Sequence, residues 1–191
     1  GMSAGYYLAK SGRRTLLIDS FKPPHNRGSH HGDTRIIRYA LGHGAQYIPL
    51  ALKAQKLWKE VEGLTGKQLF LETGVLTVGK RDSTFIQNII EHAERFSLQL
   101  ETLSNSEVIH RWPGMSLPND FIGCFEPTAG VLKSEKCIDA YEQLAKMNKA
   151  TIVTNSQVID MTVKEKKVTL KTADQVYTAD SIVVAAGGWS K

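Results

Sequence analysis

Apolar positions recur along the chain at two periods, and the switches between them mark out the elements. Residues 1–10 carry small side chains at Gly1, Ala4, Gly5 and Ala9 and run into Ser11 and Gly12. That predicts a helix with a bare face that packs closely on a sheet. Residues 14–19 hold the apolar run Leu16, Leu17, Ile18 and end in Asp19, the pattern of a buried strand. Pro23 and Pro24 make 21–25 a loop. From 47 to 61 the apolar residues Leu50, Leu52, Ala54, Leu57, Trp58 and Val61 keep helical spacing. Residues 71–79 read as one strand bent at Gly74, and 83–96 as a helix capped by Ser83. A short helix over 107–112 is ended by Pro113, and 121–126 and 130–133 are short strands. A helix over 135–146 follows, then Val153 and short strands at 158–163, 168–172 and 175–178. The strongly apolar segment 181–189 reads as a strand running into a glycine turn. This order predicts a mixed α/β chain: a nucleotide-binding α/β unit with part of a second domain inserted in it.

Composition narrows the class. Apolar residues make up 41% and charged residues 23% of the 191 positions, the balance of a globular chain rather than a disordered one. The net charge of +5 is spread over a mixed surface, and the densest basic cluster, Lys164, Lys166 and Lys167, is interrupted by Glu165. No nucleic-acid partner is expected from it. A basic balance also suits an enzyme that attracts anionic cofactors and carboxylate substrates. Two cysteines, Cys124 and Cys137, make neither a disulfide framework nor a zinc site. No apolar run reaches membrane-spanning length and no signal-peptide pattern is present, so a cytoplasmic protein without a membrane partner is expected.

Two stretches carry candidate chemistry. A dinucleotide fingerprint is a strand, then G-x-G-x-x-G opening a helix, with an acid about 20 residues on. Gly1 fits the third glycine, Gly5 an additional one, and Asp19 the acid at the end of the second strand, where a carboxylate can accept hydrogen bonds from ribose hydroxyls. The first strand and the first two glycines would then lie before residue 1. Taken alone, this pattern fits ordinary helix–sheet packing better than a nucleotide site. The second stretch is Pro23-Pro24-His25-Asn26-Arg27-Gly28-Ser29-His30-His31-Gly32-Asp33-Thr34-Arg35-Ile36-Ile37-Arg38. So many small, polar and cationic residues are costly in a packed core and suit a ligand-lined loop. Arg35 and Arg38 stand three apart, so on a helical turn they share a face and can hold a carboxylate or an anionic ring. A solvated basic face explains the same spacing equally well. His30 and His31 are adjacent, so their side chains diverge, and no acid or cysteine stands at ligand spacing; no metal is expected.

The run from Pro23 to Arg38 resembles the signature of the sarcosine oxidase and N-methyl-tryptophan oxidase family of FAD-dependent amine oxidases. Arg111-Trp112-Pro113, Phe125-Glu126-Pro127, Gly130-Val131-Leu132 and the segment from Val183 to Trp189 resemble that family in the same order. The resemblance covers nearly the whole chain. It implies a Rossmann-like FAD-binding domain of the glutathione-reductase type, lacking its first strand, over 1–66 and 134–191, with part of the substrate domain over 67–133. It implies FAD as cofactor, with Gly1, Gly5, Asp19, Ser29, His30, Thr34, Arg35, Val158, Gly187 and Gly188 on the cofactor and Arg35, Arg38 and His31 as catalytic residues. Arg38 matches the arginine that pairs with the substrate carboxylate.

The implied reaction is oxidation of a secondary N-methyl amino acid, with dioxygen as acceptor, to the demethylated amino acid, formaldehyde and hydrogen peroxide. The implied enzyme is a monomer. Related readings are another FAD amino-acid oxidase or dehydrogenase of the same fold, or a non-catalytic module that keeps it. In the family a cysteine carries FAD covalently; it matches neither Cys124 nor Cys137, which read as small apolar residues. Activity is therefore expected of the whole protein rather than of these 191 residues. A parallel sheet lacking its first strand leaves backbone and apolar surface unpaired, so this chain alone is expected to hold FAD weakly. Stoichiometric flavin absorbance after purification of the 191-residue chain would refute that expectation.

Overall fold

The computed structural model describes residues 1–190, and they fall into two compact units. The first comprises Gly1–Asp33, Leu64–Lys67 and the described part of the chain from Ser134 onward; the second comprises Thr34–Gly63 and Gln68–Lys133. The sequence reading grouped 34–66 with the first part. In the structure Thr34–Gly63 packs with the second, because the strand that opens it pairs with a strand from 130–133.

In the first unit, α1 (Met2–Lys10) leads into β1 (Leu16–Ile18), and α5 (Ser134–Met147) into β8 (Thr151–Val153). β1 and β8 pair in parallel, Leu16 opposite Thr151 and Ile18 opposite Val153. α1 packs on α5, burying Tyr6 and Ala9 of one and Ala140, Tyr141, Leu144 and Ala145 of the other. The Tyr6 and Tyr141 rings lie 5.9 Å apart. Full burial of such aromatic and leucine side chains contributes about 1.5–3 kcal/mol each. β9 (Asp160–Lys164), β10 (Lys167–Lys171) and β11 (Val176–Ala179) form an antiparallel meander with β10 in the middle.

The expected strand over 181–189 does not form. Residues 181–186 pair with no strand among the described residues, and Gly187–Trp189 closes the segment as a 3₁₀ turn. Val183 and Val184 remain 63% and 58% exposed. An apolar run becomes a strand only where a neighbour takes its backbone groups.

The second unit holds two three-stranded antiparallel sheets. β7 (Gly130–Lys133) lies between β2 (Thr34–Ile37) and β3 (Phe70–Leu71); β6 (Phe121–Glu126) lies between β4 (Val75–Lys80) and β5 (Glu101–Leu103). The single strand expected over 71–79 is thus two strands in different sheets. The break falls at Gly74, whose φ of +72° only glycine adopts without strain. α2 (Ile48–Thr65) bears out the helical spacing of the stretch that begins at Tyr47 and runs four residues past Val61. α3 (Thr84–Arg95) turns Ile86, Ile89 and Ala93 onto Ile122 and Cys124 of β6, and Ser83 caps it by accepting the Ile86 N–H. α4 (Asn105–Arg111) starts in a capping box in which Ser104 and Glu107 each accept the other's backbone N–H. Both cysteines are buried and free, and burial pushes the Cys124 thiol up to about 11, leaving it an inert apolar group.

Gly130 opens β7 where the chain leaves no room for a side chain. A Cβ there would lie 2.0 Å from the Leu71 carbonyl oxygen, and backbone cannot swing aside. Gly130→Ala is expected to destabilise the chain by about 1–3 kcal/mol or more. Gly114→Ala, facing open space, should change stability by less than about 0.5 kcal/mol. Urea denaturation midpoints check the contrast; equal shifts would refute it.

Candidate functional site

The first unit places a glycine-capped helix start and a strand-end carboxylate side by side in sequence. Gly1 caps α1 with no side-chain hydrogen bond, and the first turn contains no acid. Its N–H groups and the positive end of its dipole are therefore unmet by side chains, a suitable seat for an anion. Gly5 is buried, and a Cβ there would come within 2.4 Å of the Leu17 side chain, so only glycine lets α1 approach β1 this closely.

Asp19 follows β1 directly. Its N–H donates to the Val153 carbonyl at 2.9 Å, and its own carbonyl accepts from Ser156 N–H at 3.0 Å, which extends the register of β1 and β8 by one residue. Its carboxylate Oδ1 accepts the Phe21 N–H at 2.9 Å, and the His25 ring nitrogen Nε2 stands 3.3 Å from the same oxygen. The loop beyond is held by its own polar atoms. His25 N–H donates to His30 Nε2 at 3.0 Å, and Arg27 N–H donates to His25 Nδ1 at 3.2 Å. Burial, and then the neighbouring His25, hold the His30 imidazole below the usual histidine pKa.

The loop is tied to the start of α5. Ser134 Oγ donates to the His30 carbonyl at 2.6 Å. Glu135 Oε1 accepts the Gly32 N–H at 3.1 Å and lies 2.9 Å from His31 Nδ1. The Gly32 N–H, and after it the His31 hydrogen bond, hold the Glu135 carboxyl below the usual range. Of the expected cofactor residues, this unit carries Gly1, Gly5, Asp19, Ser29, His30, Val158, Gly187 and Gly188. Ser29 is exposed, and Val158 is 38% exposed just before β9. Gly187 and Gly188 lie in the 3₁₀ turn rather than at a strand end. The Trp189 indole N–H of that turn donates to the Arg27 carbonyl at 3.0 Å.

Thr34, Arg35 and Arg38 belong to the second unit. Thr34 and Arg35 are exposed on β2, where the Arg35 guanidinium donates to the Thr34 carbonyl at 2.8 Å. The shared helical face expected for Arg35 and Arg38 is corrected by the structure. Arg35 lies in a strand that ends at Ile37 and Arg38 follows it, so no helical turn brings the two together. Arg38 instead lines an open groove of about 500 Å³ with Ile36, Val75, Leu76 and Thr77. The groove sets one cation against an apolar wall.

The backbone just after Arg38 is held from far along the chain. Glu126, only 2% exposed, accepts the N–H groups of Tyr39 and Ala40 on Oε2, both at 2.8 Å. These are the two residues after Arg38. Burial, and then Glu126, push the Tyr39 phenol up to about 12. Glu126 sits in a motif that the family resemblance singled out, but a partner 86 positions away leaves no local signal. In the neighbouring motif, the Arg111 guanidinium lies 5.3 Å from the Trp112 ring and 5.0 Å from the Phe125 ring and donates to Glu101 at 2.6 Å, a packing role. Among the described residues no group of three His, Cys, Asp or Glu could hold a metal, and no helix is long and apolar enough to cross a membrane.

Comparison with known proteins follows the same lines. A family model described as DAO, FAD dependent oxidoreductase, matches residues 1–191. The chain is 50% identical to a monomeric sarcosine oxidase of Bacillus sp. (strain NS-129), covering 100% of this chain and 49% of that protein. It is 39% identical to an N-methyl-L-tryptophan oxidase of Yersinia pestis (strain Pestoides F), covering 100% of this chain and 52% of that protein. The chain thus spans about half the length of the curated relatives it matches. Among solved structures, it resembles NikD, an unusual amino acid oxidase essential for nikkomycin biosynthesis, in its open form. The TM-score is 0.88 at 22% identity, over 99% of this chain and 49% of that one. It also resembles glycine oxidase from Geobacillus kaustophilus, with a TM-score of 0.81 at 18% identity, over 99% of this chain and 53% of that one. These two structural likenesses speak to the fold.

Replacing Glu126 by Leu would leave two buried N–H donors without an acceptor, at about 1–3 kcal/mol each. Glu126→Gln keeps an acceptor oxygen and should lose clearly less. Urea denaturation of the two variants decides; equal losses would show that the accepted hydrogen bonds are not what Glu126 contributes.

Proposed function

Because the chain belongs to the FAD dependent oxidoreductase family along its whole length, we propose that the whole protein is an FAD-dependent oxidase of secondary N-methyl amino acids, of the sarcosine or N-methyl-tryptophan type. Its products would be the demethylated amino acid, formaldehyde and hydrogen peroxide, with dioxygen as acceptor and one water consumed in hydrolysing the imine. The observation that carries the reading is the Asp19 carboxylate at the end of a parallel strand, directly after a helix that starts in glycine and packs closely on that strand through Gly5. The similarity to sarcosine and N-methyl-tryptophan oxidases supports the choice of substrate class.

The residues present fit an FAD. The start of α1 would take the pyrophosphate, whose charge suits the uncapped N–H groups. Asp19 would accept from the ribose hydroxyls, and the backbone at Val158 would meet the adenine. Ser29, His30, Thr34 and Arg35 would line the isoalloxazine, where the positive charge of Arg35 favours electron-rich flavin. Gly187 and Gly188 would close the nucleotide end. FAD held there would supply the redox chemistry for oxidising the N-methyl carbon.

The chain's own residues do the rest. Arg38 would pair with the substrate carboxylate and so orient the N-methyl group. Ile36, Val75 and Leu76 would offer the substrate an apolar wall beside that pairing. His31, held by Glu135, would keep the loop beside it in place. On this reading the first unit is the core of the FAD-binding domain and the second belongs to the substrate domain. Neither buried cysteine is proposed as a point of flavin attachment.

The substitution that tests this is Arg38→Met in the whole protein. A lost charge-assisted hydrogen bond lowers kcat/KM for the N-methyl amino acid by about 10- to 100-fold, carried by KM. Steady-state assays of hydrogen peroxide and formaldehyde release measure it. An unchanged KM would remove Arg38 as the carboxylate clamp, and ammonia in place of formaldehyde would remove the N-demethylating reading.

A further inference from the structure

His25 stands at the centre of the hydrogen bonds that the loop makes within itself. Each of its polar side-chain atoms and its main-chain N–H has a partner within the first unit. Its Nδ1 accepts the Arg27 N–H at 3.2 Å. An accepting ring nitrogen carries no proton, so in the neutral ring the proton sits on Nε2. Nε2 stands 3.3 Å and 3.5 Å from the two Asp19 carboxylate oxygens, so it donates to that carboxylate. The His25 N–H in turn donates to His30 Nε2 at 3.0 Å, which places the His30 proton on Nδ1. The two rings meet edge to face at 4.8 Å, and Phe21 flanks His25 at 5.2 Å. The His25 side chain is only 15% exposed, against 38% for Asp19.

We infer that His25 is a positioning residue for the nucleotide site: its ring holds the Asp19 carboxylate in one orientation, and its main chain fixes the tautomer of His30. The inference rests on the reading of Asp19 as the acceptor of the ribose hydroxyls and adds a residue to it. A carboxylate at a strand end turns about two side-chain bonds. The Phe21 N–H restrains one oxygen, and a single bond of that kind leaves the plane of the group free to rotate. The His25 Nε2, 3.3 and 3.5 Å from the two oxygens, narrows that freedom before a ligand arrives. Binding a diol then costs less ordering, which is how a residue that touches no ligand strengthens a site.

The same contacts would also be made by a histidine that merely packs the loop, and the ribose separates the two roles. Flavin-free full-length protein is titrated calorimetrically with ADP and with 2′-deoxy-ADP, which differ in one hydroxyl. Asp19→Asn should collapse the preference for ADP. His25→Leu should narrow it by about three- to tenfold, the effect of freeing one side chain. His25→Gln should restore most of it, because the glutamine amide N–H reaches the position of Nε2. Equal weakening of both nucleotides in His25→Leu would make His25 a packing residue and overturn the inference. An undiminished preference in Asp19→Asn would overturn the ribose reading beneath it. If His25→Leu does not fold, His25→Phe, which keeps a ring in the loop and cannot donate to Asp19, is titrated with the same two nucleotides instead. An ADP preference narrowed as for a freed carboxylate supports the inference, and an undiminished preference overturns it.

Discussion

Three residues of parallel ladder, Leu16–Ile18 against Thr151–Val153, bring together segments from opposite ends of the chain, with the whole second unit inserted between them. The entropy of closing so long a loop grows only slowly with its length, so a short ladder can hold it if helices bury apolar surface beside it. The pairing of α1 with α5 does so through Tyr6, Ala9, Tyr141 and Leu144. Everything that positions Asp19 depends on this arrangement. Its backbone continues the ladder to Val153 and Ser156, and its loop is pinned to the start of α5. If the ladder opened, the strand-end carboxylate, the two histidines and the glycine-capped helix would no longer share a frame.

A second theme is the use of glutamates as clips for main chain. Glu62 accepts the N–H groups of Leu69 and Phe70 at 2.7 and 2.9 Å, Glu126 those of Tyr39 and Ala40, and Glu135 that of Gly32. Each clip holds a stretch where no ladder partner takes those N–H groups. Irregular backbone must satisfy its donors somehow, and a carboxylate can accept two at once. Two of the three clips serve segments that carry candidate site residues: Glu126 beside Arg38, Glu135 beside His31. The exposed ion pairs, such as Lys59 with Glu72, contribute far less, since water screens them.

Much of the fold was legible along the chain because its signals are local. α3 shows its apolar period and its Ser83 cap within a few residues, and α4 shows Ser104 and Glu107 at capping-box spacing. β6 and β7 fall where their apolar runs lie. What could not be read depends on partners far away. Residues 71–79 look like one strand until β7 claims Leu71 and β6 claims 75–79 for different sheets. The segment 181–189 has the composition of a strand and lacks a neighbour to make it one. Helical spacing would pair Arg35 with Arg38, whereas antiparallel pairing with β7 makes 34–37 a strand that ends before Arg38. For the site, Asp19 and the loop after it were legible from residue types. The hold on them by His25, Glu135 and Glu126 was not, because it is written in contacts between side chains and distant backbone.

The stretch from Ile182 to Val184 has a bearing on how the chain behaves in a tube. Side chains of this kind, together with main chain that belongs to no ladder, form a template onto which another extended segment can add. Dilution, a carrier detergent or a covering peptide strand would compete with such addition, whereas crowding would promote it.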